Sequence, residues 1–185
     1  MSEARSTNPD FVSTGVWGRS DAHPTRLEAE VTALFEEWRA PVMRYLLNLG
    51  LRPQDGEEIV QEVFLALFRH LRAGKPRDNI RGWVFRVAHN LGLKRRYSKG
   101  GLHDSEPTEQ RSDPAPNPEE AFAAAQRQRK LLAVVNALPE QDRSCLHLRA
   151  EGLRYREISE VLGMSLGAVA LSLSRSLAKL TRADK

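Results

Sequence analysis

Asp55, Glu57, Glu58 and Glu62 crowd into one short stretch without a basic residue, and Gln61 stands among them. On a helix, Glu58, Gln61 and Glu62 are three and four positions apart and share a face. Early acids also suit a helix N-terminus through its dipole. A face of carboxylates and an amide, set opposite an apolar stripe, is suited to docking on the arginines of a protein partner.

The opposite charge gathers further along. Residues 79–101 hold Arg81, Arg86, Lys94, Arg95, Arg96 and Lys99 and no acid, with Trp83, Phe85 and Tyr97 between them. Cations at this density neutralise phosphates, and aromatic faces stack on exposed bases. Trp83 falls on the apolar stripe of its segment and reads as core. A third feature spans Arg154 to Leu180: a short helix pattern, a Gly163-Met164 turn, Ser165 as N-cap and a second helix pattern, the layout of a helix-turn-helix.

Catalytic chemistry finds little support. The five histidines (23, 70, 89, 103 and 147) lack ligand spacing, no phosphate loop is present, and docking accounts better for the carboxylates. The single cysteine, Cys145, lies in an apolar stretch and reads as a small core residue. It makes neither an internal disulfide nor a zinc site, and no metal or cofactor is expected. No stretch approaches the roughly 20 apolar residues of a membrane span. The polar N-terminus lacks a signal-peptide core, so a cytoplasmic protein without membrane insertion is expected.

The elements that must position these groups are helical. The 185 residues are 41% hydrophobic and 28% charged, and the net charge of +4 hides the local contrasts. Residues 1–26 read as a disordered lead-in. Residues 27–97 read as three helices: one on Leu27, Val31, Leu34, Trp38, Val42, Tyr45 and Leu49, kinked or split by Pro41; one from Pro53 to Gly74; and one from Asn79 on Ile80, Trp83, Val84, Val87 and Leu91. Residues 98–118, acidic and carrying Pro107, Pro114, Pro116 and Pro118, read as a linker reaching at most roughly 70 Å. Residues 119–185 read as a second helical domain, with helices near 119–137, from Pro139, over 155–162 and from Leu166. The fold class is therefore all-α, two small helical domains joined by an acidic flexible linker.

Glu57-Glu-Ile-Val-Gln-Glu-Val-Phe64 resembles the core-binding helix of sigma-70-type factors, and Arg81-Gly-Trp-Val-Phe-Arg-Val-Ala-His-Asn90 resembles their promoter-melting helix. Leu138-Pro-Glu-Gln-Asp-Arg143 and Gly152-Leu-Arg-Tyr-Arg-Glu-Ile-Ser-Glu-Val-Leu-Gly163 resemble the start of their C-terminal DNA-binding domain. Together these segments cover residues 27–97 and 119–181 in the family's order, and the short two-domain layout is similar to the extracytoplasmic-function group.

The resemblance implies a role in promoter recognition, promoter melting and transcription initiation. The partners it implies are the RNA polymerase core enzyme, promoter DNA and, where one exists, an anti-sigma factor. Glu58, Gln61 and Glu62 fall where the family grips polymerase. Arg86, Asn90, Lys94, Arg95, Arg96 and Lys99 fall on the −10 DNA surface, and the stretch 90–101 falls where the family captures a flipped base. Arg154, Tyr155, Ser165, Ala168, Ala170, Leu171, Ser172, Ser174, Arg175 and Lys179 fall on the −35 reader, and the acidic linker falls where the family threads the RNA exit path. The chain departs from the family where Glu58 replaces the common Asp, where Lys94 replaces Asp or Asn, and where Ala170-Leu-Ser-Leu-Ser174 replaces a basic, polar run. That last change implies −35 reading through shape, thymine methyls and backbone contacts. Two other readings fit part of the pattern: a sigma-like interaction protein that holds polymerase or an anti-sigma partner with little DNA reading, and an ordinary helix-turn-helix transcriptional regulator. The latter leaves residues 27–97 unexplained.

Overall fold

The computed structural model describes residues 25–98 and 118–184, all of whose regular structure is helical. The N-terminal lead-in through residue 24, Lys99 and the linker over 99–117 lie outside the described residues.

Helix α1 (Arg26–Asn48) opens with a capping box: Glu28 donates its backbone N–H to the Thr25 hydroxyl, and the Glu28 carboxylate accepts from the Thr25 N–H at 2.7 Å. It continues through Pro41, so of the expected kink or split the split does not occur. Proline removes one backbone hydrogen bond, but Trp38, Val42, Tyr45 and Leu46 flank it in the core, and their burial holds the helix together. Helix α2 (Pro53–Arg72) starts with proline at its first position and buries Ile59, Val60, Val63, Phe64, Leu67 and Leu71. Helix α3 (Ile80–Ser98) begins after Asn79, whose side-chain oxygen accepts from the Gly82 N–H at 3.1 Å. α1, α2 and α3 form a three-helix bundle.

The second domain comprises α4 (Pro118–Asn136), α5 (Glu140–Ala150), α6 (Tyr155–Leu162) and α7 (Leu166–Ala183). Gly163 adopts the left-handed conformation (φ 65°) that ends α6, and Ser165 then caps α7 by accepting from the Ala168 N–H at 3.2 Å. The chain bends by 105° between α6 and α7, as a helix-turn-helix requires.

The two domains do not stand apart. α3 packs on α6 and α1 touches α5, so one buried cluster runs from Trp38 to Leu173. This shifts the buried face of α3. Val84, Phe85, Ala88 and Gly92 are its core, whereas Ile80, Trp83, Val87 and Leu91 are only partly covered. A helix covered by α2 on one side and α6 on another buries more than one stripe. At Gly92 the close approach of α1 leaves no room for a methyl group, since a Cβ would sit 2.8 Å from Leu49 Cδ2.

Candidate protein and nucleic-acid interfaces

The face expected on α2 is present. Glu58, Gln61 and Glu62 are all exposed, and Leu65, one turn further on, is 49% exposed. The face is therefore acidic with an apolar spot beside it. Glu58 is not idle: its carboxylate accepts from Arg95 Nη1 at 2.8 Å, and the same nitrogen donates to the buried Asp55 at 2.7 Å. These two carboxylates raise the Arg95 pKa further above its ordinary value.

On α3, Arg86, Asn90 and Lys94 recur every four residues and are exposed, forming a stripe roughly 12 Å long. Among the described residues Arg86 and Lys94 have no carboxylate partner, so both cations are available to phosphates. Arg96 differs. Its Nη1 donates to Leu49 O at 3.0 Å and to Glu140 Oε1 at 2.6 Å, and its side chain is only 11% exposed. The expectation that it faces DNA is corrected for this arrangement: its charge is spent on α5, and it holds the Glu140 carboxyl below the usual range.

A hollow of about 210 Å³ lies at the other end of α3, lined by Leu67, His70, Pro76, Asp78, Ile80, Trp83 and Arg86. The His70 and Trp83 rings lie 4.7 Å apart, and a hydrogen bond of 3.0 Å joins His70 Nε2 to the Pro76 carbonyl. Trp83, expected in the core, is instead only partly covered and faces His70. Their pairing arises across the α2–α3 turn, which no local pattern reveals.

On α7, Ala170, Leu171, Ser174, Arg175 and Lys179 are exposed with the cap Ser165, and Ala168 is partly covered. Ser172 is not available. It is fully buried and donates to Asp142 Oδ1 at 2.7 Å, so the expectation that it reaches phosphate is corrected. Arg175 also reaches Asp142, at 3.1 Å, but keeps more than half of its side chain in solvent. Asp142, missed by the sequence reading, fastens α7 to α5. Arg154 and Tyr155 are exposed at the start of α6, with Arg149 over the Tyr155 ring.

Further polar contacts join the domains. Arg44 grips Glu151 through Nε at 2.9 Å and Nη2 at 2.7 Å, Arg81 donates to the Glu151 carbonyl, and Asn79 donates to Glu160 at 2.8 Å. Nearby, the buried Tyr45 hydroxyl and His89 Nδ1 are 2.8 Å apart. Burial lowers the His89 pKa, and burial together with Arg143 lowers that of His147 to about 4. These residues are far apart in sequence, and nothing in their spacing announces them. No single described helix is long and apolar enough to cross a membrane.

The chain is similar to known proteins in both of its domains. The family model "Sigma-70 region 2" matches residues 34–100 and "Sigma-70, region 4" matches residues 128–180. The chain is 31% identical over 143 residues to the ECF RNA polymerase sigma factor SigE of Mycolicibacterium smegmatis, an alignment spanning 75% of this chain and 55% of SigE. It is 31% identical over 141 residues to the RNA polymerase sigma factor NccH of Alcaligenes xylosoxydans xylosoxydans, spanning 72% and 75% of the two chains. Among solved structures, the sigma factor RpoE in complex with the anti-sigma factor NepR from Bartonella quintana matches with a TM-score of 0.62 at 15% identity, covering 84% of this chain and 94% of that one. CnrH in complex with the cytosolic domain of CnrY matches with a TM-score of 0.57 at 22% identity, covering 83% and 86%.

Proposed function

The chain belongs to the sigma-70 family of RNA polymerase sigma factors, in its ECF group, and from that membership we propose that it places the core polymerase on promoter DNA and helps to melt it. Glu58, Gln61 and Glu62 dock on arginines of the polymerase. Arg86, Asn90 and Lys94 hold the melted −10 strand, and the hollow beside Trp83 and His70 takes one unstacked base; Arg86 borders both. The second domain lays α7 on −35 duplex, touching thymine methyls through Ala170 and Leu171, with Arg154, Arg175 and Lys179 at the backbone. The protein performs no catalytic step of its own and works in the cytoplasm. An anti-sigma factor is a further partner, in line with the RpoE structure, which holds the anti-sigma factor NepR.

The observation that carries this reading is the presence, on one small bundle, of an exposed acidic face on α2 and an exposed basic stripe on α3. Run-off transcription with purified core polymerase and a pool of promoter fragments tests it. Specific transcripts that depend on this protein are expected. Polymerase capture without any transcript would instead support the interaction-protein reading, which the uncharged first half of the α7 surface, Leu166 to Ser174, favours.

A further inference from the structure

A buried carboxylate that holds two donors of one helix fixes that helix in rotation as well as in place. Asp142 on α5 keeps only 8% of its side chain in solvent, and its Oδ1 accepts twice from α7: from the buried Ser172 hydroxyl at 2.7 Å and from Arg175 Nη2 at 3.1 Å. Ser172 and Arg175 are three residues apart and so are neighbours on the helix surface. The hydroxyl sits on a short side chain and ties down the α7 backbone. The guanidinium sits on a long side chain that is 56% exposed, so the same oxygen restrains a group that DNA can reach.

The first half of the outward α7 surface, with Leu166, Ala170, Leu171 and Ser174, holds no long hydrogen-bonding side chain. Arg175 follows Leu171 by one turn and faces the same way. Methyl contacts carry sequence information only while the helix keeps its register on the duplex, and phosphate contacts set that register. An unrestrained arginine follows a phosphate wherever it meets one. An arginine with one nitrogen fixed offers its remaining, coplanar N–H groups at one place. The carboxylate also offsets part of the cation's charge, which weakens its attraction to DNA of any sequence.

We propose that Asp142 is a positioning residue for −35 recognition: it acts through Arg175, holding the guanidinium as a fixed phosphate clamp and lowering its indiscriminate affinity, so that the methyl contacts of Ala170 and Leu171 decide which duplex is kept. The proposal rests on the reading of α7 as the −35 reader. Asp142 touches no DNA itself; it trades affinity for discrimination.

The test measures the affinity of holoenzyme, assembled from the full chain and core polymerase, for a promoter obtained by run-off transcription and for the same promoter with its −35 element scrambled. Asp142→Asn keeps the shape and the oxygen that accepts from Ser172 but removes the charge. It is expected to lower the ratio of the two affinities about tenfold, chiefly through tighter binding to the scrambled promoter. The salt slope should steepen by up to about 0.9, the share of one freed cation. Asp142→Glu should restore most of the ratio. In an Arg175→Ala background, Asp142→Asn should change neither ratio nor slope further, because residues that act through one contact are not additive. A ratio unchanged by Asp142→Asn would overturn the proposal. So would an equal loss with and without Arg175, which marks a purely structural role. Should Asp142→Asn lose helicity, Arg175→Lys carries the test at an exposed position: it keeps the cation and loses the planar fork, so the ratio should fall, and an unchanged ratio overturns the proposal. A wild-type holoenzyme indifferent to the scrambling refutes α7 as the −35 reader, a separate failure that shows before any variant is made.

Discussion

Arg95 donates to Glu58 across 2.8 Å, so one member of the candidate DNA surface is bound to one member of the candidate polymerase surface. The α2 and α3 sites thus share a contact. On the proposed function, a polymerase arginine arriving at Glu58 competes with Arg95, which keeps its second carboxylate, Asp55.

Gln61 and Glu62 are exposed on the acidic face of α2; Gln61→Ala with Glu62→Lys is expected to weaken capture by core polymerase by about 100-fold or more. Circular dichroism should be unchanged, because neither side chain is in the core. Glu58→Ala should cost less, since Glu58 must leave Arg95 before it docks. Retained capture by the double variant would remove α2 as the docking face.

Arg86 and Lys94 are the cations proposed for the −10 strand that, among the described residues, have no carboxylate partner. Removing both with Arg86→Ala and Lys94→Ala should lower the salt slope of holoenzyme binding to a single-stranded −10 template by about 0.7 per cation. A slope equal to that of the wild type would place the strand elsewhere.

Ser172 is a fastener between α7 and α5. Ser172→Ala leaves the buried Asp142 with one fewer donor and should cost about 1.5–3 kcal/mol. A differential scanning measurement should show a Tm lower by roughly 3–10 °C, while the exposed Ser174→Ala shifts it little. Equal effects of the two variants would contradict this account.

The His147 pKa of about 4, below the ordinary 6.5, sets a pH dependence. Between these values the unfolded chain takes up a proton that the folded chain refuses. Stability from this residue is therefore full above pH 6.5 and declines as pH falls towards 4, by about 2 kcal/mol at pH 5. Glu140, with its pKa lowered, acts in a different window: its contribution is present above the usual carboxylate range and is lost only as pH falls through its depressed value. Urea denaturation at pH 7 and pH 5 should show the first effect in the wild type and its reduction in His147→Gln.

Much of the fold was legible because it is locally encoded. Asn79, Gly152, Gly163 and Ser165 mark helix ends through their own conformational preferences, and the three- and four-residue spacings of Leu, Val and Ile give the buried faces of α1 and α2. Pro41 does not split α1, because tertiary packing outweighs a single missing hydrogen bond. Phe85 was grouped with the basic segment, yet it is fully buried beside Tyr45, their ring centroids 5.9 Å apart. Its burial reflects a helix covered on two sides. The site was legible where it is an exposed face of one helix, as with Glu58, Gln61 and Glu62 or with Arg86, Asn90 and Lys94. It was illegible where partners come from distant segments: Arg96 with Glu140, Ser172 with Asp142, and His70 with Trp83.

The outward surface of α7 is apolar in its first half, with Leu166, Ala170, Leu171 and Ser174, and carries Arg175, Lys179 and Arg182 further on, whereas the outward stripe of α3 carries Arg86 and Lys94 from end to end. Contacts made by methyl groups weaken on cooling, and contacts made by cations on phosphate weaken as ions accumulate. On the proposed function, cold loosens the upstream end of the promoter complex and osmotic upshift loosens the downstream end. Two promoters that differ only in which element is strong would then change rank with the weather outside the cell, before any regulator acts.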